Sequence, residues 1–243
     1  MQAGSPRWLL IGNSRWHWAV AAGEALRVEH GPPPAGTLEP GLVDDLVGWA
    51  AVGPVPPSLP LPPQRRLGLE RVPLVELPPW LGLDRALAGW LAWRRHGQAV
   101  LVADAGTVLS LTRVHSSGRF AGGRLLAGVS LQLKAMAEGT AALPQLGLLP
   151  LAEPPGSAQG PGSEWPLDTR GAMATGVLRG LAAAVADAAL QAQELDPGCR
   201  LVLSGGDGAL LLPRLQVLLS AHDIAVDLQP DLALEALVQL QPL

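Results

Sequence analysis

The chain has 243 residues, of which 48% are hydrophobic and 16% are charged, and its net charge is −4. This size allows one large core or two smaller ones, and the charge balance excludes the basic surface typical of nucleic-acid-binding proteins. Lys134 is the single lysine, so a Walker-type phosphate loop is absent, and Cys199 is the single cysteine, so no intramolecular disulfide forms. With no apolar run of 18 residues, we expect a soluble cytoplasmic protein without a membrane partner.

The first hundred residues predict a pair of strands, a proline-rich stretch and a helix. The apolar runs Trp8–Ile11 and Trp16–Ala21 flank a glycine-asparagine turn, which is typical of a hairpin. Prolines between Pro32 and Pro79 exclude long helices, although Ala50–Val55 is compatible with a strand. Apolar residues at helical spacing begin near Asp84, and this helix is expected to end at His96-Gly97.

The remainder of the chain alternates between strands and helices. The predicted strands are Ala99–Ala103, Leu109–Val114, Leu201–Ser204 and Ile224–Leu228. The predicted helices are Ser130–Ala142, Thr169–Leu195, Ala209–His222 and Leu232–Leu240, with glycine-rich or proline-rich loops at 118–128 and 149–166. This alternation predicts an α/β architecture. A boundary near Gly97 would divide it into an N-terminal lobe, residues 1–97, and a C-terminal lobe, residues 98–243.

Three polar or glycine turns follow predicted strands. They are Gly12-Asn13-Ser14, Asp104-Ala105-Gly106-Thr107 and Ser204-Gly205-Gly206. Glycine lets the backbone approach a phosphate group, hydroxyls donate hydrogen bonds, and a carboxylate holds or orients a cation. Together the turns indicate nucleotide binding, although a single Asp-x-Gly turn is also common as plain structure.

A fourth motif, Gly82-Leu83-Asp84-Arg85, stands at the start of the first predicted helix. An aspartate there could simply satisfy free backbone amides. It could instead be a general base beside an arginine that grips an anionic substrate. The sequence leaves both interpretations open.

In the order of these motifs and in the residues that form them, the chain resembles the type III pantothenate kinases, members of the actin-like ATPase superfamily. The resemblance extends over nearly the whole chain, and Gly12-Asn13-Ser14-Arg15-Trp16-His17-Trp18-Ala19 is most similar to cyanobacterial members. It implies two ribonuclease H-like lobes, each a mixed sheet flanked by helices, with a nucleotide in the cleft between them. The implied reaction is ATP-dependent phosphorylation of pantothenate to 4′-phosphopantothenate, the first step of coenzyme A synthesis.

The resemblance also implies a role for individual residues. Asp84 would be the catalytic base, and Gly82, Leu83, Arg85 and Thr169 would bind pantothenate. Mg²⁺-ATP would lie against Gly12, Asn13, Ser14, Arg15, Thr107, Gly205 and Gly206. Asp104 would hold a monovalent cation, K⁺ or NH₄⁺. Family members are homodimers, with the substrate site near the subunit interface.

One departure from the family pattern bears on activity. The first phosphate loop of the family reads Asp-x-Gly-Asn-Thr, whereas Leu10 stands at the aspartate position here. The alternative function is therefore a catalytically weak or inactive nucleotide-binding regulator of the same fold. A sugar or acetate kinase of the superfamily is a third interpretation, which the short chain and the Gly82–Arg85 motif disfavour.

Two further sets of residues have both a structural and a functional interpretation. His17, beside the first turn, is a candidate for contact with phosphate, although a packing role is favoured. The tryptophans, Trp80 among them, are expected to fill core or interface volume rather than to stack on a cofactor.

Overall fold

The computed structural model describes residues 5–23, 25–34, 43–57, 59–147 and 165–241. Its strands are β1 (Arg7–Ile11), β2 (Trp16–Ala22), β3 (Ala25–Gly31), β4 (Leu46–Ala51), β5 (Val100–Ala105), β6 (Val108–Val114), β7 (Phe120–Ala127), β8 (Arg200–Ser204) and β9 (Val226–Leu228). Its helices are α1 (Leu83–His96), α2 (Val129–Gly139), α3 (Thr169–Leu195), α4 (Gly208–Leu219) and α5 (Leu232–Leu240). The predicted α/β class is confirmed. The 149–166 loop lies almost wholly outside the described residues.

The first sheet has the strand order β3-β2-β1-β4. β2 is antiparallel to both β1 and β3, whereas β4 runs parallel to β1, so the sheet is mixed. Its core is a cluster of buried apolar side chains: Leu9, Ile11, Trp16, Leu46, Trp49, Leu59 and Leu61. The Trp49 indole donates to Pro62 O at 2.8 Å, so the buried ring keeps its polar atom satisfied.

The second sheet has the order β7-β6-β5-β8-β9, with β8 and β9 parallel. Its central strands β5 and β8 are almost entirely buried, in agreement with their continuous apolar sequences. The helices α2, α3 and α4 belong to the same part of the chain, and α3 packs against both of the others.

The chain forms two compact units that interleave along the sequence. The first contains residues 1–100, 114–121 and 231–243, and the second contains residues 101–113 and 122–230. α5 therefore joins the first unit, where it packs against α1 and β1. The predicted lobes, residues 1–97 and 98–243, stay a prediction.

α3 is the one helix in the described part of the chain whose length and hydropathy would allow it to cross a membrane. Half of its most apolar window is buried against the rest of the protein. A helix buried in the core of a compact protein can be as apolar as a membrane-spanning helix. Since α3 packs against α2 and α4, we interpret it as a core helix.

Several elements differ from the sequence-based predictions. β7 replaces the expected 118–128 loop, and β3 was not expected. β4 covers Leu46–Ala51 rather than 50–55, because the N–H groups of Val52 and Gly53 both donate to Ile11 O and draw the chain out of the strand. α2 ends at Gly139, where the Thr140 hydroxyl donates to Met136 O at 2.8 Å.

The expectation that the tryptophans fill core or interface volume is confirmed for Trp8, Trp16 and Trp90, which are all buried. Trp80 is 70% exposed and lies outside the core, so for this residue the interface role stays a prediction. The Trp80 ring stands edge-on to Phe120, with 6.1 Å between the ring centroids.

Candidate active site

The first glycine turn connects β1 to β2. Gly12 N–H donates to Arg15 O at 2.9 Å, which closes the turn, and a Cβ on Gly12 would lie only 2.8 Å from that oxygen. A side chain at position 12 would therefore force the turn open. Asn13, Ser14 and Arg15 are exposed in this turn.

Gly53 supports this turn and was missed by the sequence reasoning. A Cβ on Gly53 would collide with the carbonyl of Gly12. The chain leaving β4 thus packs directly on the turn backbone, and only glycine allows that approach. The Val52-Gly53-Pro54 sequence after a strand was the available signal.

Leu10 is buried in β1, with a side chain 5% exposed, and its cross-strand partners are His17 on β2 and Ala50 on β4. The position that carries a carboxylate in the family motif is therefore part of the apolar interior here. The first turn has backbone amides, an amide side chain, a hydroxyl and a guanidinium, but no acid of its own.

A chain of three polar side chains lies beside the first turn. His17 Nδ1 is 2.8 Å from His30 Nδ1, and His30 Nε2 is 3.2 Å from the Asp231 carboxylate. Burial, followed by the charges of His30 and Arg15, lowers the pKa of His17 to about 4. His17 is consequently uncharged at neutral pH.

The Gly82–Arg85 motif forms the first turn of α1. Gly82 is the N-cap residue and contributes no side chain, and Asp84 Oδ1 accepts a hydrogen bond from Arg85 N–H at 2.8 Å. A Cβ on Gly82 would lie 2.7 Å from that same carboxylate oxygen. The glycine therefore leaves room for the aspartate to fold back over the start of the helix.

Asp84 and Arg85 both have shifted pKa values. Burial raises the pKa of Asp84, although the Arg85 amide and guanidinium oppose that shift. Burial also lowers the pKa of Arg85, which is 9% exposed. A carboxylate with a raised pKa and a buried arginine next to it are features typical of active sites rather than of simple helix caps.

The second glycine turn follows β5. Asp104 is half-buried near the end of the strand, and Thr107 is exposed in the turn. Gly128 N–H donates to Thr107 O at 2.9 Å, and a Cβ on Gly128 would collide with Gly106 O. The start of α2 is thus packed against this turn and fixes its shape.

Asp104 and Gly205 are brought together, although a hundred residues separate them in the sequence. Gly205 has a left-handed φ of 82°, and a Cβ there would collide with Asp104 Oδ1 and with Ala105 O. Asp207 N–H donates to Ala105 O at 2.9 Å and joins the two turns. Gly206, by contrast, is exposed, and a Cβ built on it meets nothing within 4 Å.

Thr169 is the exposed first residue of α3. The preceding Asp168 caps the helix by accepting from Gly171 N–H at 2.8 Å. One turn further along α3, a mainly apolar hollow of about 360 Å³ opens between α2 and α3. Ala172 and Met173 contribute to its lining, together with Gln132 and Met136.

The candidate residues are divided between the two units. Gly12, Asn13, Ser14, Arg15, Gly82, Leu83, Asp84 and Arg85 belong to the first, and Asp104, Thr107, Thr169, Gly205 and Gly206 belong to the second. Each unit is built as nucleotide-binding turns require, with glycines where the backbone is close-packed and polar groups where it is open.

Comparison with known proteins identifies the family. A family model described as type III pantothenate kinase matches residues 64–191. The type III pantothenate kinase of Synechococcus elongatus is 36% identical over 249 residues, covering 96% of this chain and 94% of its own. That of Thermosynechococcus vestitus is 40% identical over 219 residues, covering 88% and 82%.

The chain belongs to the type III pantothenate kinase family. It is an enzyme whose reaction is the ATP-dependent phosphorylation of pantothenate, and the resemblance noted from the motifs is confirmed, including its cyanobacterial character. All of these relatives carry the name of an active kinase, so they give no support to the inactive-regulator alternative.

Solved structures agree on the fold. Component A of (R)-2-hydroxyglutaryl-CoA dehydratase from Acidaminococcus fermentans aligns with a TM-score of 0.52 at 12% identity, over 98% of this chain and 96% of its own. A Baf family protein from Campylobacter jejuni aligns with a TM-score of 0.55 at 16% identity, over 96% of each chain. At such identities the likeness concerns the fold alone, and it agrees with the predicted α/β fold class.

A pantothenate kinase uses ATP with a divalent metal, and the donor groups present fit Mg²⁺-ATP. Mg²⁺ prefers oxygen ligands, keeps several waters and is typically held by one or two carboxylates together with substrate phosphates. The hydroxyl oxygens of Ser14 and Thr107 are ligands of that kind. Among the described residues no cluster of three acidic, histidine or cysteine side chains could hold a metal ion.

Proposed function

We propose that this pantothenate kinase transfers the γ-phosphoryl group of ATP to the 4′ hydroxyl of pantothenate, with Asp84 as the general base. Two features of the motif support this role. Burial raises the pKa of Asp84, and the adjacent Arg85 is itself buried. A base with a raised pKa accepts a proton more readily than an ordinary carboxylate, and its position on a helix fixes its direction.

In this mechanism the substrate hydroxyl oxygen attacks the γ-phosphorus while the bond to the β–γ bridging oxygen breaks, and ADP leaves. Asp84 takes the hydroxyl proton. Gly82, Leu83, Arg85 and Thr169 line the pantothenate site, and Arg85 pairs with the pantothenate carboxylate. The buried guanidinium is suited to that pairing because it is partly desolvated before the substrate binds.

The glycine turns bind the nucleotide. The phosphates are bound by Gly12, Asn13, Ser14, Arg15 and Thr107, and the adenosine is bound by Gly205-Gly206. A bound Mg²⁺ neutralises the charge that accumulates on the phosphate oxygens. Asp104, half-buried and packed by Gly205, holds the monovalent cation, K⁺ or NH₄⁺.

The enzyme is proposed to act as a cytoplasmic homodimer with the pantothenate site near the subunit interface. The features in favour of association are exposed apolar side chains around α2 and the start of α3, namely Leu125, Leu131, Trp165 and Leu167. Large apolar groups at the surface of one region mark interaction sites.

Replacing Asp84 by Asn tests the proposal. We expect kcat to fall by about 10²–10⁴-fold, the range of general-base assistance, with pantothenate affinity measured by calorimetry nearly unchanged. Asp223→Asn, the same change at an exposed aspartate outside every motif named above, is the matched control and should keep wild-type turnover. Wild-type kcat in the Asp84→Asn enzyme would remove Asp84 as the base.

A further inference from the structure

We infer that Trp80 contacts the two methyl groups of pantothenate and thereby selects substrates whose reactive hydroxymethyl group is attached to a dimethyl carbon. Phe120 holds the Trp80 ring in place for this contact. The inference rests on the proposed function, because it takes Asp84 as the base for the 4′ hydroxyl. Trp80 itself lies outside all four sequence motifs.

The covalent structure of pantothenate requires an apolar surface close to the base. The reactive hydroxyl is bonded to a CH₂ group, and the next carbon carries both methyl groups. Three bonds join the hydroxyl oxygen to each methyl carbon, and such a path spans at most about 4 Å. A general base lies about 3 Å from the oxygen that it deprotonates. Both methyl groups therefore come within about 7 Å of the Asp84 carboxylate during the reaction.

Trp80 is the exposed large apolar side chain that lies nearest in sequence to Asp84 among the described residues, and it is 70% exposed. Leu81 and Leu83, which stand between them, are buried. A Cβ on Gly82 would lie 2.7 Å from Asp84 Oδ1, and the two residues from Trp80 to Gly82 span at most about 7 Å. The Trp80 indole thus starts close enough to reach groups bonded next to the reacting oxygen.

Phe120 supports the Trp80 ring from one side. The two ring planes are 79° apart, with 6.1 Å between the centroids, which is a favoured edge-to-face geometry. Phe120 is anchored in turn, because its N–H donates to Val75 O at 2.9 Å and Val75 N–H donates to Gly118 O at 2.9 Å. The segment before α1 and the start of β7 therefore hold the two rings together.

The segment that leads to Trp80 has a strained backbone. Glu76 has a left-handed φ of 58°, which is uncommon for a residue with a side chain, and its carboxylate lies 3.6 Å from the Arg119 guanidinium. Leu81 N–H donates to Pro78 O at 3.0 Å and closes a turn that contains Trp80. Strain of this kind persists where the surrounding structure enforces it, and it is common at ligand sites.

Folding alone does not account for this arrangement. A tryptophan stabilises the folded state mainly through burial, yet most of the Trp80 side chain is in contact with solvent. An aromatic ring that is exposed and already held in one orientation is suited to binding, because little conformational freedom is lost when a ligand covers it. The methyl groups of pantothenate supply that cover and set the 4′ hydroxyl against Asp84.

The first test measures substrate preference. kcat/KM is determined for pantothenate and for its analogue without the two methyl groups, in wild type, Trp80→Ala and the control Leu195→Ala, whose side chain is exposed at the end of α3. We expect wild type to prefer pantothenate by about tenfold or more, and Trp80→Ala to prefer it by about threefold or less. Leu195→Ala should keep the wild-type preference.

The ratio between the two substrates separates contact with the methyl groups from a general loss of structure. If Trp80→Ala lowers kcat/KM by the same factor for both substrates, or changes neither value, the inference is overturned. It is also overturned if the preference stays intact while sedimentation shows a changed oligomeric state, because the ring would then belong to a subunit interface.

Phe120→Leu removes the supporting ring and leaves Trp80 in place. We expect a substrate preference between those of wild type and Trp80→Ala, because the indole is still present but less well oriented. An unchanged preference would remove Phe120 as a positioning residue.

The second test uses the wild-type protein, so it does not depend on a variant that fails to fold. With Mg²⁺, pantothenate and a non-hydrolysable ATP analogue bound, NMR should show nuclear Overhauser contacts between the methyl protons and the Trp80 indole. If wild type phosphorylates pantothenate without these contacts, only the role of Trp80 is overturned. If it neither binds ATP nor phosphorylates pantothenate, the proposed function fails as well.

Discussion

At the scale of single residues, the catalytic role proposed for Asp84 conflicts with stability. Its carboxylate sits in the first turn of α1, where burial disfavours the charged form, while the Arg85 amide only partly compensates. The residue is retained although a neutral side chain would fit that environment better.

This conflict predicts a pH-dependent stability difference. Because the folded state raises the pKa of Asp84 above its unfolded value of 3.8, the stability that this one group contributes is fully present below pH 3.8 and is lost as pH rises through the folded pKa. Asp84→Asn should therefore raise the free energy of unfolding at pH 7, and the gain should disappear toward pH 3. Urea unfolding at both pH values measures it, and a gain that is equal at both would contradict the shift.

The sequence motifs predict candidate site residues, but they do not predict which contacts hold those residues in place. Asp84, Arg85, Asp104 and the three glycine turns are visible as motifs because their spacing is local. The support from Gly53 and the hydrogen-bonded side chains His17, His30 and Asp231 are not visible as sequence motifs. Their partners are far apart in the sequence and come together only when the strands pair and α5 packs on the first unit.

At the scale of elements, the turns after β5 and β8 depend on each other. Asp104 Oδ1 and Ala105 O occupy the space where Gly205 would carry a side chain, and the left-handed φ of Gly205 adds to that requirement. A Cβ built on the adjacent Gly206 would meet no atom within 4 Å. Packing therefore requires glycine at position 205 but not at position 206.

Gly205→Ala should therefore displace Asp104 and reduce both stability and kinase activity, with a loss of about 1–3 kcal/mol in the free energy of unfolding. Gly206→Ala should leave that free energy within about 0.5 kcal/mol of wild type. Any loss of ATP affinity in Gly206→Ala then reports contact with the nucleotide. Equal destabilisation by the two variants, measured in urea, would contradict the packing described.

The elements predicted from sequence were those with strong apolar periodicity. β1, β2, α1, α3 and α5 lie at or within two residues of their predicted bounds, because each buries a clear face. β3 and β7 were missed because they are the outer strands of their sheets and keep mostly exposed or half-buried side chains. Pairing with a neighbouring strand, rather than their own composition, makes them strands.

At the scale of the whole molecule, the end of the chain completes the first unit. α5 buries Leu232, Leu234 and Leu237, and the Trp8 indole donates to Gln241 O at 2.7 Å across most of the sequence. Gln241 also donates from its side chain to Arg65 O at 3.0 Å. These contacts join the first and last described segments of the chain.

Leu237→Ala should accordingly lower the free energy of unfolding by about 2–5 kcal/mol, the usual cost of truncating a fully buried leucine. Gln239→Ala, an exposed position on the same helix, is the matched control and should change it by less than about 0.5 kcal/mol. Equilibrium urea unfolding separates the two, and similar values for both variants would contradict the packing of α5.

Asp231 opens that last segment and also contacts His30, the cross-strand partner of His17. A truncated polypeptide that stops before Asp231 would hold the glycine turn at residue 12 without the carboxylate that His30 contacts, and it would lack α5 as well. The surroundings of this early turn are therefore supplied by a segment that lies far along the chain.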